Sequence, residues 1–498
     1  MTSPDHRFNG PSGNAGSSGG GVRSLAINSA YLTAARIGTQ VVRLVYMLAI
    51  ARLLGPELYG LLAYGQSWYM GFFPIAVLGL GAVISREVGR DRSNAAPFLA
   101  TTLTLRIGAS GLAAGLAALL GWHLEAGSLA RHLLLVFSLA LVGRALAMWA
   151  EHVFVAHERS GYALLQAAVF RPLEVAVGIG LLLGGHDVLS LAILHAVTWW
   201  LQAFAAFAVV RYRLIVVPLS FDRIALARTF RLVLPIAIGA FLAGWLMQGP
   251  LVLYRHQSGV TAQALGQLAL LMQIISVLAT IPWSIGMAAL PFLARAADRQ
   301  DQKDILYLET MTRAAILGGG LIGILGLALA GPVIVWVFGD AYRNAGALLG
   351  PALWLLIPLT VGTAASSTLL ARGRRWSIAV AAFLGLAVLV SLTPLLVTTF
   401  GPGGSLLATG TSLSTWALAL YAVVAHRSPL RTELTLFRSS GTTLAAIAAY
   451  LLLELYLSTP AALVLSFGCF FTAAWWFRIL DTSERAHARA ALRLARRI

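Results

Sequence analysis

The chain has 498 residues, of which 58% are hydrophobic and only 11% are charged. Because about 25% of the residues of a soluble domain are charged, this composition excludes a protein whose main solvent is water. The net charge of +17 does not indicate a nucleic-acid partner, because the basic residues alternate with apolar runs, as in the loops of membrane proteins.

The first segment, residues 1–22, is rich in Gly and Ser and lacks the apolar stretch and cleavage site of a secretory signal peptide. It is predicted to be a disordered cytoplasmic tail. Apolar runs of about 20 residues follow, and a helix of this length crosses about 30 Å of hydrocarbon. The sequence therefore predicts an all-α polytopic membrane protein with about 14 transmembrane helices. They are expected near residues 25–51, 60–84, 98–121, 132–155, 162–184, 187–210, 230–254, 264–292, 311–338, 346–371, 376–399, 403–425, 441–458 and 461–478.

Arginine is unevenly distributed among the loops that join these spans. Alternate loops, such as 211–229 and 372–375, carry several arginines, and so does the C-terminal tail 479–498, whereas 185–186 and 400–402 have none. Basic loops stay on the cytoplasmic side of a membrane. We therefore predict a multi-pass protein of the bacterial cytoplasmic (inner) membrane with both termini in the cytoplasm.

The loop 211–229 mixes arginines with apolar residues. This mixture predicts an amphipathic helix on the cytoplasmic membrane surface, with a solvated linker as the alternative. The loop separates the first six predicted spans from the remainder. Gly60, after the first span, and Gly266, after the seventh, have similar neighbouring sequences, which indicates a weak internal repeat.

The first span carries the most informative polar residues. Arg36, Gln40 and Arg43 follow one another at helical spacing and lie on one face. An arginine within a membrane helix costs about 2.5–3.5 kcal/mol and tends to face a cavity or a partner. No acidic residue in the span can pair with these two, and guanidinium groups bind phosphate oxygens well. We predict an anion-binding stripe; the alternative is that both arginines reach lipid head groups.

Other polar residues are weaker candidates for the substrate path. These substrate-binding candidates are Arg52, Gln66, Gln248, Arg255 and Gln273. The alternative for Arg255 is that it marks the outer membrane boundary.

Titratable residues within the spans are candidates for ion coupling, namely Glu174, His195 and Glu454. Arg171 and Glu174 are three residues apart, so we expect them to form a local ion pair with a structural role. His195 has the alternative of a histidine satisfied within the bundle. Arg144 is expected to be buried in the bundle.

Several kinds of catalytic site are excluded by missing motifs. The sequence has no GxxxxGK[ST], HExxH or GxSxG motif, and Cys469 is its one cysteine. We therefore predict that the protein is not an enzyme and has no catalytic residues, metal site or cofactor.

Five segments resemble a known family. ARLLGPELYG at 51–60, HERSGYALLQ at 157–166, IPWSIGMAALPFLAR at 281–295, FGDAYRNAGALLGPALWLL at 338–356 and TLLARGRRW at 368–376 occur in the expected order. They are similar to segments of the polysaccharide-biosynthesis flippases of the Wzx or RfbX type, within the multidrug/oligosaccharidyl-lipid/polysaccharide exporter superfamily.

The resemblance implies two six-helix lobes in a pseudo-two-fold arrangement around a cavity with alternating access. The lobes would comprise residues 23–210 and 230–425, followed by a helix pair at 441–478. By analogy with the related lipid II flippases, the resemblance implies that Arg36, Arg43, Arg52 and Arg255 line the cavity.

The implied cargo is a polyprenyl-pyrophosphate-linked oligosaccharide, moved across the bilayer for cell-surface polysaccharide synthesis. A polysaccharide polymerase and a chain-length regulator are candidate partners. One alternative is a cation-coupled drug or metabolite exporter of the same superfamily. The other is a membrane glycan polymerase or ligase, which requires a large outer loop that the sequence lacks.

Overall fold

The computed structural model describes residues 18–91, 95–219, 221–299, 303–426, 432–454 and 456–476. Within these ranges all the regular elements are helices, which confirms the all-α class. The α-helices are α1 Ser18–Val77, α2 Leu80–Arg90, α3 Ala95–Leu124, α4 Ser128–Ala156, α5 Gly161–Leu183, α6 Val188–Val209, α7 Arg223–Arg255, α8 Ala262–Asp298, α9 Lys303–Phe338, α10 Arg343–Leu353, α11 Leu356–Ala371, α12 Arg375–Ala425, α13 Thr432–Glu454 and α14 Thr459–Trp476.

Ten helices in the described ranges are long and apolar enough to cross a membrane. The pair α10 and α11, bent by 42°, makes an eleventh crossing if it is one broken span. Two of the ten contain a break: the φ angles of Gly55 in α1 and Gly401 in α12 are 69° and 54°, a conformation that glycine adopts without strain. The multi-span membrane fold is confirmed, whereas the number of about 14 crossings stays a prediction.

The first arm of α1, before Gly55, runs along α8. Arg43 contacts Gln273, and further along the arm Pro56 packs directly on Gly266, where a side chain would overlap the Pro56 carbonyl group. Residue 266 lies near the start of α8, so α1 approaches the α7–α8 connection as it runs from residue 43 to residue 56.

The second arm of α1, after Gly55, runs along α7 in the opposite sense. Gly71 packs on Trp245, and Gly79, just beyond the end of α1, packs on Ile236, so the arm moves away from the α7–α8 connection as it proceeds. The helix is thus a hairpin that turns at Gly55. We call this side of the bundle the Gly55 end and the opposite side, which carries residues 215–222, the linker end.

The helices pack in two groups. Helices α1 to α6 contact one another, α7 to α12 contact one another, and the contacts between the groups are made mainly by α1 with α7 and α8. Helices α13 and α14 pack on each other and on α9. We call residues 18–214 the N-terminal half and residues 223–425 the C-terminal half. The boundaries of the predicted lobes, 23–210 and 230–425, stay predictions.

The linker differs from the prediction. Residues Val210–Leu214 continue α6 as one π-helical turn, residues 215–219 have no regular secondary structure, and α7 begins at Arg223, so 211–229 is not a separate surface helix. Pro218 has no N–H group and disfavours helix at the residue before it. The Asp222 carboxylate accepts hydrogen bonds from the backbone of Ile224 and Ala225, which fixes the start of α7.

The N-terminal tail also differs in part. Helix α1 begins at Ser18, inside the segment 1–22 that was predicted to be disordered. Extending an existing helix adds one hydrogen bond for each residue fixed, so a helix can continue into a weakly helical sequence. Residues 1–17 and the basic tail from residue 477 onward lie outside the described residues.

Candidate functional site

Arg43 faces the interior of the bundle. Met47 and Ile50, at i+4 and i+7 on the same stripe of α1, are 5% and 1% exposed, whereas Val41 and Val45 on the opposite face are 57% and 49% exposed. The Arg43 side chain is nevertheless exposed. It therefore borders an open space inside the bundle, which we call the chamber.

The chamber lies between the two halves. Nη2 of Arg43 donates a hydrogen bond of 3.2 Å to Oε1 of Gln273 on α8. Toward the Gly55 end, residues 265–272 of α8 are all buried, whereas Ser284 and Met287, which continue the Gln273 face of α8 toward the linker end, are exposed. The chamber is closed toward the Gly55 end and opens toward the linker end.

The other members of the predicted stripe can be followed only in part. Gln40 lies one turn before Arg43 and is partly buried. The backbone of Arg36 continues the same helix, but its side chain lies outside the described residues. Among the described residues, no hydrogen bond joins Gln66 or Gln248, which are both partly buried, to Arg43.

Arg255 lies at the Gly55 end, away from Arg43. Its Nη2 is 3.3 Å from Oε2 of Glu125, a buried residue that follows α3. The structure thus gives Arg255 a carboxylate partner in the N-terminal half and does not bring it to the anion-binding stripe. Arg52 is exposed near the Gly55 turn, nine residues beyond Arg43, which is about 13 Å along a helix.

The ion pair of Arg255 belongs to a small cluster that joins the halves at the closed end. Nε2 of His256 lies 3.2 Å from the hydroxyl of Tyr64 and 3.9 Å from Oε1 of Glu125. Burial lowers the pKa of His256, Glu125 opposes that shift and the charge of Arg255 adds to it. The imidazole is therefore neutral at pH 7.

A second set of polar residues lies buried within the N-terminal half. Glu174 is buried on α5 and accepts a hydrogen bond of 2.5 Å from Nη1 of Arg171, which confirms the predicted local ion pair. Nη2 of Arg171 donates to Oε1 of Gln202 at 2.7 Å. The other carboxylate oxygen of Glu174 lies 2.5 Å from Nδ1 of His195. Two of the ion-coupling candidates are thus in direct contact.

His195 has partners at both ring nitrogens. Nε2 accepts a hydrogen bond of 3.1 Å from the Trp199 indole, which can only donate. The same nitrogen lies 3.0 Å from the hydroxyl of Tyr69, and Nδ1 faces the Glu174 carboxylate. The imidazole is thus satisfied within the bundle.

Arg144 completes this set, although the sequence prediction did not include it in the site. Its Nη1 donates to the hydroxyl of Tyr69 at 2.8 Å, and its guanidinium carbon lies 4.6 Å from the ring centroid of Phe73 and 5.0 Å from that of Trp199. It is close enough to Arg43 for the two charges to interact. The signal that singled out Arg43, an arginine in mid-span with no carboxylate close by in sequence, also applies to Arg144.

Other charged or potentially reactive side chains of the spans form no part of the contacts described above. Glu454 ends α13, and its side chain lies outside the described residues. Arg106 on α3 is completely buried, and its guanidinium nitrogens have no hydrogen-bond partner in the described part of the chain. Across the same residues no group of three His, Cys, Asp or Glu could hold a metal ion, and Cys469 is a free thiol.

Comparison with known proteins gives one family and one fold. The family model described as "Polysaccharide biosynthesis protein" matches residues 25–297. No curated protein sequence matches the chain.

Among solved structures, the chain is similar to the lipid II flippase MurJ in an inward closed conformation, with a TM-score of 0.65 and 16% identity, over 89% of this chain and 97% of that chain. It is also similar to a mutant of the Vibrio cholerae MATE transporter VcmN, with a TM-score of 0.52 and 16% identity, over 82% of this chain and 97% of that chain. A third similar structure is a MOP superfamily transporter from Pyrococcus furiosus, with a TM-score of 0.50 and 13% identity, over 81% and 93% of the respective chains.

Proposed function

The chain belongs to the polysaccharide biosynthesis protein family, and we propose that it is a flippase that moves a polyprenyl-pyrophosphate-linked oligosaccharide across the bacterial cytoplasmic membrane. The proposal includes the location in the inner membrane with cytoplasmic termini. It also includes a polysaccharide polymerase and a chain-length regulator as the partners that use the product. Arg36, Gln40 and Arg43 on α1 and Gln273 on α8 bind the cargo.

The observation that carries this proposal is the position of Arg43. Its guanidinium lies inside a membrane-spanning bundle, is open to the chamber, and is bonded to a neutral amide rather than to a carboxylate. Burying an isolated ion in hydrocarbon costs tens of kcal/mol by Born estimates. An unneutralised guanidinium lowers that cost for an anionic head group, to which it donates paired hydrogen bonds.

The shape of the chamber supports alternating access. Its opening faces the linker end, where loops such as 211–229 and 372–375 carry several arginines. If that side is cytoplasmic, this state receives cargo from the cytoplasm. Separation of the halves at the Gly55 end then releases it on the outer side, and this step breaks the Arg255–Glu125 pair.

The membrane potential acts in the direction of export. With the inside negative, the free energy of each elementary charge that crosses the membrane changes by about 2.3 kcal/mol per 100 mV. Outward movement of an anionic cargo is therefore favoured electrically. Glu174, His195 and Glu454 are the proposed residues if an ion is coupled to this movement.

A cation-coupled drug or metabolite exporter is the second candidate, and the similarity to MATE transporters supports it. The charges of the N-terminal half argue against a cationic cargo. Arg43 repels cations, and the buried Glu174 is already neutralised by Arg171. A glycan polymerase or ligase is less well supported, because the described connections at the Gly55 end, such as 125–127, 184–187 and 256–261, are short.

The test is complementation of a strain that lacks its own glycan flippase, using Arg43→Ala and Arg36→Ala at matched expression. We expect each variant to lose about tenfold or more of the surface polysaccharide, because a charge-assisted hydrogen bond contributes about 1.5–3 kcal/mol. Arg343→Ala is the matched control, since Arg343 is exposed at the Gly55 end and pairs with Asp340 at 2.6 Å. Full activity of both stripe variants would remove the anion site from the mechanism.

A further inference from the structure

We propose that Arg144 is a second anion-binding residue of the chamber and that the hydroxyl of Tyr69 holds it in position. This assignment rests on the proposed function and deepens it, by placing the phosphate head group of the cargo against the N-terminal half. Arg144 would touch the ligand, and Tyr69 would act through Arg144.

The charge of this region favours a doubly charged anion. Arg43, Arg144 and Arg171 contribute three positive charges, because arginine remains protonated in proteins, whereas Glu174 supplies one negative charge. Interactions between these side chains link them into one electrostatic unit with a surplus of at least two positive charges. A diphosphate that is esterified at both ends is a dianion, and this surplus is large enough to neutralise it.

Arg144 also has hydrogen-bond donors that no protein group engages in the described residues. A guanidinium presents five N–H donors in a planar fork. In Arg144 only Nη1 is engaged, by the Tyr69 hydroxyl at 2.8 Å and the Met70 sulfur at 2.9 Å. Nε is buried without a partner, and Nη2 of this partly buried residue forms no hydrogen bond with the described residues. No carboxylate in the described residues forms a salt bridge with Arg144, so Nη2 remains available to an anionic ligand.

Neighbouring side chains of the N-terminal half hold the Arg144 guanidinium in position. The guanidinium carbon lies over the rings of Phe73 and Trp199, and the Tyr69 hydroxyl that accepts the hydrogen bond of Arg144 is itself next to Nε2 of His195. His195 is held in turn by Glu174 and Trp199. These contacts hold the Tyr69 hydroxyl in place while its oxygen accepts the hydrogen bond from Arg144. An ordered guanidinium loses less entropy when it binds a phosphate.

The test measures binding of a short-chain prenyl-diphospho-N-acetylglucosamine to the purified full chain in nanodiscs. We expect Arg144→Gln to weaken binding about tenfold to hundredfold. We expect Arg144→Lys to recover part of this loss, because it keeps the charge but not the fork. Arg343→Gln serves as the control and should bind like the wild type.

A double-mutant cycle isolates the role of Tyr69. Tyr69→Phe removes only the hydroxyl and should weaken binding severalfold, while Tyr69→Phe combined with Arg144→Gln should bind no more weakly than Arg144→Gln alone. Additive effects would exclude the positioning role, because a residue that only supports the fold acts whether or not residue 144 is an arginine.

The outcomes separate this proposal from the proposed function. If Arg43→Gln abolished binding while Arg144→Gln and Arg144→Lys bound like the wild type, Arg43 would hold the anion without Arg144, and only the present proposal would fail. If neither Arg43→Gln nor Arg144→Gln weakened binding, the anion site of the proposed function would fail with it. Thermal melting of each variant identifies one that does not fold, and Tyr69→Phe and Arg144→Lys then carry the test.

Discussion

The two halves of the molecule differ in where they place charge. The membrane-spanning helices of the N-terminal half contain Arg43, Arg106, Arg144, Arg171 and Glu174. In the C-terminal half, Asp, Glu, Lys and Arg are absent from residues 232–254, 262–294, 314–338, 344–371 and 376–425. Since each arginine in a membrane helix costs about 2.5–3.5 kcal/mol on insertion, this concentration in one half requires a compensating role.

This difference indicates that the two halves contribute different chemical groups to the space between them. The N-terminal half holds charged groups in fixed positions through the contacts of Glu174, His195 and Tyr69. The C-terminal half faces them with neutral groups, such as the amide of Gln273, and with an apolar surface. Under the proposed function, a phosphate head group remains with the N-terminal half while the C-terminal half moves past it.

The largest effect is expected where the buried charges of the N-terminal half lose their balance. Glu174→Gln leaves Arg171 buried without its carboxylate, and breaking a buried pair in this way costs about 3–5 kcal/mol. Asp304→Asn in the C-terminal half breaks the pair with Arg372, whose side chain is 22% exposed, so water limits the loss. Thermal unfolding of both variants in detergent measures the difference.

The double variant Arg171→Gln with Glu174→Gln is the control for this comparison. It removes both charges and should recover part of the stability that Glu174→Gln loses. Equal melting temperatures for Glu174→Gln and the wild type would show that the N-terminal charges are not interdependent.

A smaller effect is expected when a charge is added to the neutral half. Gln273→Glu places a carboxylate beside Arg43 and neutralises it, so flipping of a fluorescent polyprenyl-pyrophosphate glycan in proteoliposomes should fall about tenfold or more. Gln273→Leu removes the amide without adding charge, so the flipping activity of this variant should fall less. Greater activity of Gln273→Glu than of Gln273→Leu would contradict an anionic cargo at Arg43.

The smallest effect is expected at Arg106, the charge that takes no part in the contacts of its own half. Its guanidinium is buried without a hydrogen-bond partner in the described residues, so Arg106→Leu removes a desolvation penalty. We expect stability to rise by about 1–2 kcal/mol, measured by denaturation in detergent. Leu103→Met, one turn away in the same helix, is the packing control. A loss of stability in Arg106→Leu alone would mean that the arginine has a stabilising partner.

Local features of this protein could be predicted from the sequence. The spans follow from apolar length, and the Arg171–Glu174 pair follows from a spacing of three residues within one helix. The stripe of Arg36, Gln40 and Arg43 follows from the same periodicity. Each of these features depends on residues within about one to three turns of one another.

Contacts between residues that are distant in the chain could not be predicted from the sequence. Tyr69 and His195 are 126 residues apart, and Glu125 and Arg255 are 130 residues apart. Only the tertiary packing joins them, so the sequence does not show that Arg255 contacts Glu125 or that Arg144 contacts Tyr69. The predicted linker helix is absent for a different reason, because Pro218 interrupts a segment whose composition is otherwise amphipathic.

The contact between Gly266 and Pro56 is a position at which one substitution can change the conformation of this molecule. Because backbone meets backbone there, even a methyl group at position 266 acts as a wedge at the seam between the halves. A bulky residue introduced at that point would disfavour the conformation that is closed at the Gly55 end. The protein would then accumulate in the conformation that is open at that end. Such a variant is a natural starting material for imaging the opposite stage of the transport cycle.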